Sequence, residues 1–200
     1  MTNPRKFLKR NSRYEIRMAG SGGQGIILAG IILAEAAILD GKHVAQSQSY
    51  GPETRGGSSI SEVILSDKEI DYPRVLKLDL LVALTQEACD RNVPDVKTEG
   101  LVVVDSDLVH GVLWGKVASI PFWEIAREVG EERAINMAAL GAIGSLCPMV
   151  SRRSLLKVLA KTPHLAKVAA NRLAFDEALK VADHLRGSLK SVDVKEEFEI

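Results

Sequence analysis

An α/β protein is what this chain predicts: three layers, α/β/α, with a mostly parallel (mixed) sheet and a helical C-terminal part. Three observations carry that expectation. A short alternating segment, Tyr14-Glu15-Ile16-Arg17-Met18, ends in glycines and passes straight into a long apolar stretch. Two later runs, Leu80-Leu81-Val82-Ala83-Leu84 and Leu101-Val102-Val103-Val104-Asp105, are apolar without alternation, as strands covered on both faces of a parallel sheet are. From Phe122 onward the apolar spacing becomes helical.

Taken in order, residues 14–19 read as a strand cut off by glycine. Ile26 to Leu39 reads as a helix apolar almost all round, and so covered on most sides. His43 to Ser47 reads as a second short strand. The segment "SYGPETRGGSS" is a loop, followed by strand character from Ile60 to Leu65 and by a turn and edge segment, "SDKEIDYP". The two buried runs follow, with Val117 to Pro121 as a further strand. Helices are expected over "FWEIAREVG", "RAINMAALGAIGSL", "SRRSLLKVLAK" with Ser151 as N-cap, and His164 to Leu185. The polar strand after the second glycine loop makes the sheet mixed. The plan is a basic arm over 1–13, one folded domain over 14–187 and a charged tail over 188–200.

Charge excludes some functions. Lys+Arg and Asp+Glu number 26 each among 200 residues, so no overall field draws the chain to nucleic acid or to an anionic membrane. The two cysteines, Cys89 and Cys147, supply neither a disulfide framework nor a zinc or iron–sulfur site. The Ile26–Leu39 stretch contains Glu35 and is too short to cross a bilayer, and the basic arm with Arg5, Lys6, Lys9, Arg10 and Arg13 has no apolar segment behind it. A cytoplasmic protein is expected.

The candidate site begins with "MAGSGGQGIILAG", where Gly20, Gly22 and Gly25 stand as G-x-G-x-x-G between a strand and a helix, a Rossmann-like start. Such a turn aims helix N–H groups at a phosphate. A dinucleotide fold, however, places an acid about twenty residues further on for the ribose. That region reads Val44-Ala45-Gln46-Ser47-Gln48-Ser49, which counts against NAD and against a free-standing dehydrogenase. The glycines serve either an anion or simply a sharp turn with close helix packing. The second loop, "YGPETRGG", sets Arg55 among Gly51, Pro52, Gly56 and Gly57. Its guanidinium suits a phosphate or carboxylate; the alternative is a surface ion pair with Glu53. Asp105 and Asp107 end a buried strand and read as turn formers, and His43, His110, His164 and His184 are too scattered for a metal. The small residues of "NMAALGAIGSLC" signal close helix packing.

These segments, "GSGGQGIILAGIILAEAA", "SQSYGPETRGGSSISEVILSD" and "LKLDLLVAL", together resemble the gamma subunit of the 2-oxoacid:ferredoxin oxidoreductases, most of all that of the 2-oxoglutarate enzymes. The likeness runs in detail from Arg17 to Ala88 and more loosely through "NMAALGA". It implies a subunit of an enzyme that converts a 2-oxoacid and coenzyme A to acyl-CoA and carbon dioxide and reduces ferredoxin. It also implies alpha, beta and delta partners that carry thiamine diphosphate, magnesium and iron–sulfur clusters. The chain itself has no Gly-Asp-Gly segment and no Cys-x-x-Cys run, so no catalytic residue and no metal ligand is assigned to it. The family's gamma region is associated with coenzyme A and with closing the active site. On that likeness the binding candidates are Gly20, Gly22, Gly23, Gln24, Gly25, Tyr50, Gly51, Glu53, Arg55, Gly56 and Gly57, with Pro52 shaping the second loop. The competing expectation is an assembly subunit that binds no ligand of its own.

Overall fold

Apolar alternation and glycine breaks resolve into six strands and six α-helices, with 3-10 turns at Val93–Asp95 and Glu132–Ala134, in the computed structural model, which describes residues 13–51, 56–162 and 168–189. They are β1 (Arg13–Ser21), α1 (Ile26–Leu39), β2 (His43–Tyr50), β3 (Ser58–Ser66), β4 (Leu78–Ala83), α2 (Gln86–Asn92), β5 (Val96–Asp105), β6 (Val117–Ile120), α3 (Phe122–Glu128), α4 (Ile135–Leu146), α5 (Arg152–Lys161) and α6 (Ala169–Arg186). The strands form a mixed sheet in the order β2-β3-β1-β4-β5-β6. β1, β4, β5 and β6 run parallel, while β3 is antiparallel to both of its neighbours. The three-layer α/β expectation and its mixed sheet are therefore borne out. The basic arm before Arg13, the tail from residue 190 and the start of the last expected helix at His164 lie outside the described residues.

The two faces are covered unequally. Ile16, Met18, Val63, Leu65, Leu80, Val82 and Val103 point into the larger core, beneath α1, α3, α4, α5 and α6. Ala19, Leu81, Ala83, Val102 and Val104 point the other way, under α2 and the stretch after β5. That stretch, residues 106–116, carries the chain from β5 to the parallel β6 without a helix. Val109, Val112 and Trp114 pack where a crossover helix would lie, and Trp114 Nε1 donates to the Gly100 carbonyl at 3.0 Å.

α2 is the element that the sequence reading passed over. It is seven residues long and buries only Ala88, Cys89 and Asn92, too little for apolar spacing to reveal. Its start is nevertheless encoded, because Thr85 Oγ1 accepts from the Ala88 N–H at 3.2 Å. α1 also departs from expectation: Ile31, Ile38 and Leu39 are exposed. In the "SDKEIDYP" segment Ser66 ends β3 and the rest is loop, with no edge strand. It is anchored by Arg13, whose guanidinium donates to the carbonyls of Tyr72 and Arg74 at 2.8 and 2.6 Å, and so belongs to β1 rather than to the arm.

Hydrogen bonds join elements distant in sequence. Asp40, at the end of α1, accepts from the Ser151 N–H and Oγ and from Ser154 Oγ at 2.5, 2.9 and 2.6 Å, which seats the start of α5. Partial burial would raise the Asp40 pKa, but these bonds outweigh it and hold the carboxyl below its usual range. Ser151 also caps α5 as expected, accepting from the Ser154 N–H at 3.1 Å. On the other face, Arg17 joins β1 to β3 and α2, donating to Glu62, Asn92 and Asp95.

Close packing of α4 on α6 follows from the small residues between Asn136 and Cys147. A Cβ on Gly141 would overlap the Phe175 carbonyl of α6, and one on Gly144 would sit 3.2 Å from Leu155 Cδ1. Gly141→Ala is expected to lower stability by about 1–3 kcal/mol by overpacking this contact. Chemical denaturation checks it, and an unchanged midpoint would mean that the helices separate at little cost.

Candidate functional site

β1 ends where the parallel half of the sheet meets the antiparallel half, a position from which loops diverge to either side. Ser21 N–H donates to Gln24 Oε1 at 2.7 Å, and Gln24 N–H returns to the Ser21 carbonyl at 3.2 Å. Gln24 thus closes the turn with its own side chain, and a Cβ on Gly20 would overlap its Oε1.

The two glycine loops meet here. Gly22 N–H donates to the Gly57 carbonyl at 2.7 Å, and Gly51 N–H to the Ser58 carbonyl at 2.6 Å, so the β2–β3 connection lies against the turn after β1. Gly22 has no positive φ, and a Cβ there would make only ordinary contact with the Gly57 carbonyl oxygen at 3.4 Å, so its part in the turn is its backbone N–H. Positive φ belongs instead to Gly23, Gly25 and Gly56, at 95°, 73° and 69°. Tyr50 is exposed at the end of the edge strand β2. Pro52, Glu53 and Arg55 lie outside the described residues.

Gly25 is the N-cap of α1 in the left-handed conformation. No side chain caps this helix, and its first turn contains no acid. The first-turn amides therefore have no acceptor within the helix and carry the positive end of its dipole. Beside them is a cleft of about 300 Å³ lined by Gly23, Gly25 and Leu28, by Glu131, Arg133 and Asn136, and by Val168 and Asn171. Those residues mark the starts of three helices, α1, α4 and α6. α6 likewise has no side-chain cap and no acid in its first turn. α4 differs: it continues a 3-10 turn, Glu132–Ala134, whose start is capped by the Glu131 side chain and carries Glu132. The Arg133 guanidinium adds a full positive charge. The acid on the rim, Glu131, accepts the Arg133 backbone N–H at 3.2 Å. A hollow of about 320 Å³ along α3, between Glu124, Arg127 and Glu128, includes none of the candidate residues.

Sequence reasoning missed Asn136 and Arg133. Asn136 Nδ2 donates to the Gly25 carbonyl at 3.2 Å, across 111 residues of chain. The available signal was a lone asparagine opening an otherwise apolar helix, a poor place for that side chain without a partner.

The remaining candidates are structural. Buried Asp105 accepts from the N–H groups of Asp107, Leu108 and Trp123, tying the end of β5 to the start of α3. Burial raises its pKa against the lowering effect of those bonds. Burial also pushes the Cys147 thiol up to about 12, so it stays protonated and unreactive at neutral pH.

With this geometry in view, comparison with known proteins is decisive. The pyruvate ferredoxin/flavodoxin oxidoreductase family matches residues 15–181. The chain belongs to that family. It is 45% identical over 179 residues to the 2-oxoglutarate synthase subunit KorC of Methanocaldococcus jannaschii, spanning 86% of this chain and 96% of that protein. The gamma subunit of a keto/oxoacid ferredoxin oxidoreductase from Geobacter sulfurreducens has the same fold, with a TM-score of 0.74 and 46% identity, covering 84% of this chain and 98% of that one. A 2-oxoglutarate:ferredoxin oxidoreductase from Magnetococcus marinus, solved with 2-oxoglutarate, coenzyme A and succinyl-CoA bound, superposes with a TM-score of 0.76 at 27% identity. The match covers 92% of this chain and 32% of that longer one. Family membership therefore extends across both glycine loops and the helices that line the cleft.

Two glycine substitutions separate backbone strain from crowding. Gly23 and Gly25 both have positive φ, but a Cβ on Gly23 meets nothing within 4 Å, whereas one on Gly25 would overlap the Asn136 amide. Gly23→Ala is expected to cost about 1–2 kcal/mol, the left-handed penalty alone. Gly25→Ala should cost more by the displacement of Asn136. Equal losses in urea unfolding would show that Asn136 yields freely.

Proposed function

We propose that this chain is the gamma subunit of a multi-subunit, cytoplasmic 2-oxoacid:ferredoxin oxidoreductase that acts on 2-oxoglutarate. The 2-oxoacid and coenzyme A become an acyl-CoA and carbon dioxide, with electrons passed to ferredoxin. Residues 14–187 belong to the working domain, which Arg13 joins as the first residue of β1. The substrate assignment is supported by identity along almost the whole length of a protein named as a 2-oxoglutarate synthase subunit.

The observation that carries the reading is the cleft at the glycine turn, where the uncapped starts of α1 and α6 and the Arg133 guanidinium come together, with Glu131 as the one acid in the lining. Coenzyme A presents a pyrophosphate and a ribose phosphate, which suit first-turn amides and a guanidinium. In this reading the amides of Ile26 to Leu28 and Arg133 receive phosphate, and Arg55 supplies a second cation from the adjoining loop. Thiamine diphosphate, magnesium and iron–sulfur clusters belong to the alpha, beta and delta partners. Among the described residues no group of three or more His, Cys, Asp or Glu side chains is placed to hold a metal ion, and no helix is long and apolar enough to cross a membrane. The assembly reading, with no ligand on this chain, draws on exposed Ile31, Ile38 and Leu39 of α1, which suit burial by a partner.

Steady-state kinetics of the assembled enzyme distinguishes the two. Arg133→Ala and Arg55→Ala are each expected to raise KM for coenzyme A by about 10- to 150-fold, the worth of a hydrogen bond to a charged group. Decarboxylation in a single turnover without coenzyme A should change far less. Unchanged coenzyme A kinetics in both variants, with weakened subunit association, would favour assembly. The purified chain alone is expected to show no 2-oxoacid-dependent dye reduction, and turnover by it would overturn the division of labour.

A further inference from the structure

We infer that Asn136 is a positioning residue for coenzyme A, acting through the peptide unit between Gly25 and Ile26. This rests on the reading of the cleft as the coenzyme A site. The Gly25 carbonyl already accepts the Ala29 N–H at 3.0 Å, as the first intrahelical bond of α1 requires. The second bond, from Asn136 Nδ2 at 3.2 Å, is not needed to satisfy that oxygen. Its consequence is orientation. The Gly25 carbonyl and the Ile26 N–H belong to one rigid, planar peptide group and point in opposite directions, so fixing the carbonyl fixes the aim of the amide. That amide opens the uncapped first turn beside the cleft.

Three features make the arrangement specific. Asn136 is only 5% exposed, so its amide is held by packing. The space it fills is the space of the missing Gly25 side chain, so the glycine and the asparagine form a complementary pair. A donor on the carbonyl also polarises the peptide group and strengthens its N–H as a donor to an anion. Asn136 lies on α4, so the aim of the first amide of α1 depends on how α4 is seated against it.

The test uses the enzyme assembled with its partner subunits and reads KM for coenzyme A, KM for the 2-oxoacid, kcat and the thermal midpoint. Asn136→Ala and the near-isosteric Asn136→Leu both remove the donor, but only the first removes much volume. Both are expected to raise KM for coenzyme A by roughly 2- to 12-fold, the range for one neutral hydrogen bond, with a smaller change in KM for the 2-oxoacid. A space-filling role would give a different pattern: N136A would lower the thermal midpoint, N136L would restore it, and coenzyme A kinetics would match the unmodified enzyme in both. That result, beside an Arg133→Ala variant whose KM for coenzyme A has risen, would overturn the proposal while leaving the cleft reading intact. Unchanged KM in all three variants would overturn the cleft reading itself, and the proposal with it. Failure of both Asn136 variants to assemble would also overturn it, since the residue would then belong to the fold.

Discussion

The ladder between β1 and β3 is the constraint on which the rest of the site depends. It runs in unbroken antiparallel register from Arg13↔Ser66 to Ser21↔Ser58, and the bond from Gly22 to Gly57 extends it past the strand ends. Because β3 runs antiparallel to β1 with Ser58 opposite Ser21, the connection that precedes β3 must emerge beside the turn that follows β1. A slip of one residue would turn Ile16 and Met18 away from the large core and expose Arg17 to it, so burial fixes the register and the register fixes the loops.

The same placement governs α1. The helix leaves β1, crosses over β3 and returns to β2, so it must lie close on β3, and Gly30 permits this where a Cβ would overlap Ser61 Oγ. Its N-terminus is then held from outside the sheet by Asn136 and its C-terminus by the bonds of Asp40 to Ser151 and Ser154. Both ends are positioned by residues more than a hundred positions away in the chain. The cleft is the outcome of helix α1 being seated by α4 and of α4 packing on α6 through Gly141. Its anion-binding character rests on what the starts of α1 and α6 lack, side-chain caps and first-turn acids, as much as on Arg133.

Much of this was legible in the sequence wherever the signal was local. The bounds of α1, the paired buried strands and the cap at Ser151 followed from apolar runs, glycine breaks and one serine. Close packing along α4 followed from its small residues. α2 was not legible, because a seven-residue helix with one shallow face has almost no periodic signature, although Thr85 marked its start. The exposed side of α1 was not legible either. Ile31, Ile38 and Leu39 have the same chemistry as their buried neighbours, and only the position of the sheet decides which of them meets solvent.

The sequence by itself determined that both glycine loops exist, that each needs residues without a Cβ, and that the chain is an α/β protein of this oxidoreductase family. Tertiary structure alone decided that the loops touch through the Gly22 N–H, that Gly23 and Gly25 are the turn glycines required for conformation, and that Asn136 and Arg133 stand beside them. The physical reason is distance along the chain. Backbone conformation is set by neighbours a few residues away and leaves a pattern in sequence, whereas a hydrogen bond across 111 residues exists only once the core has brought its two ends together.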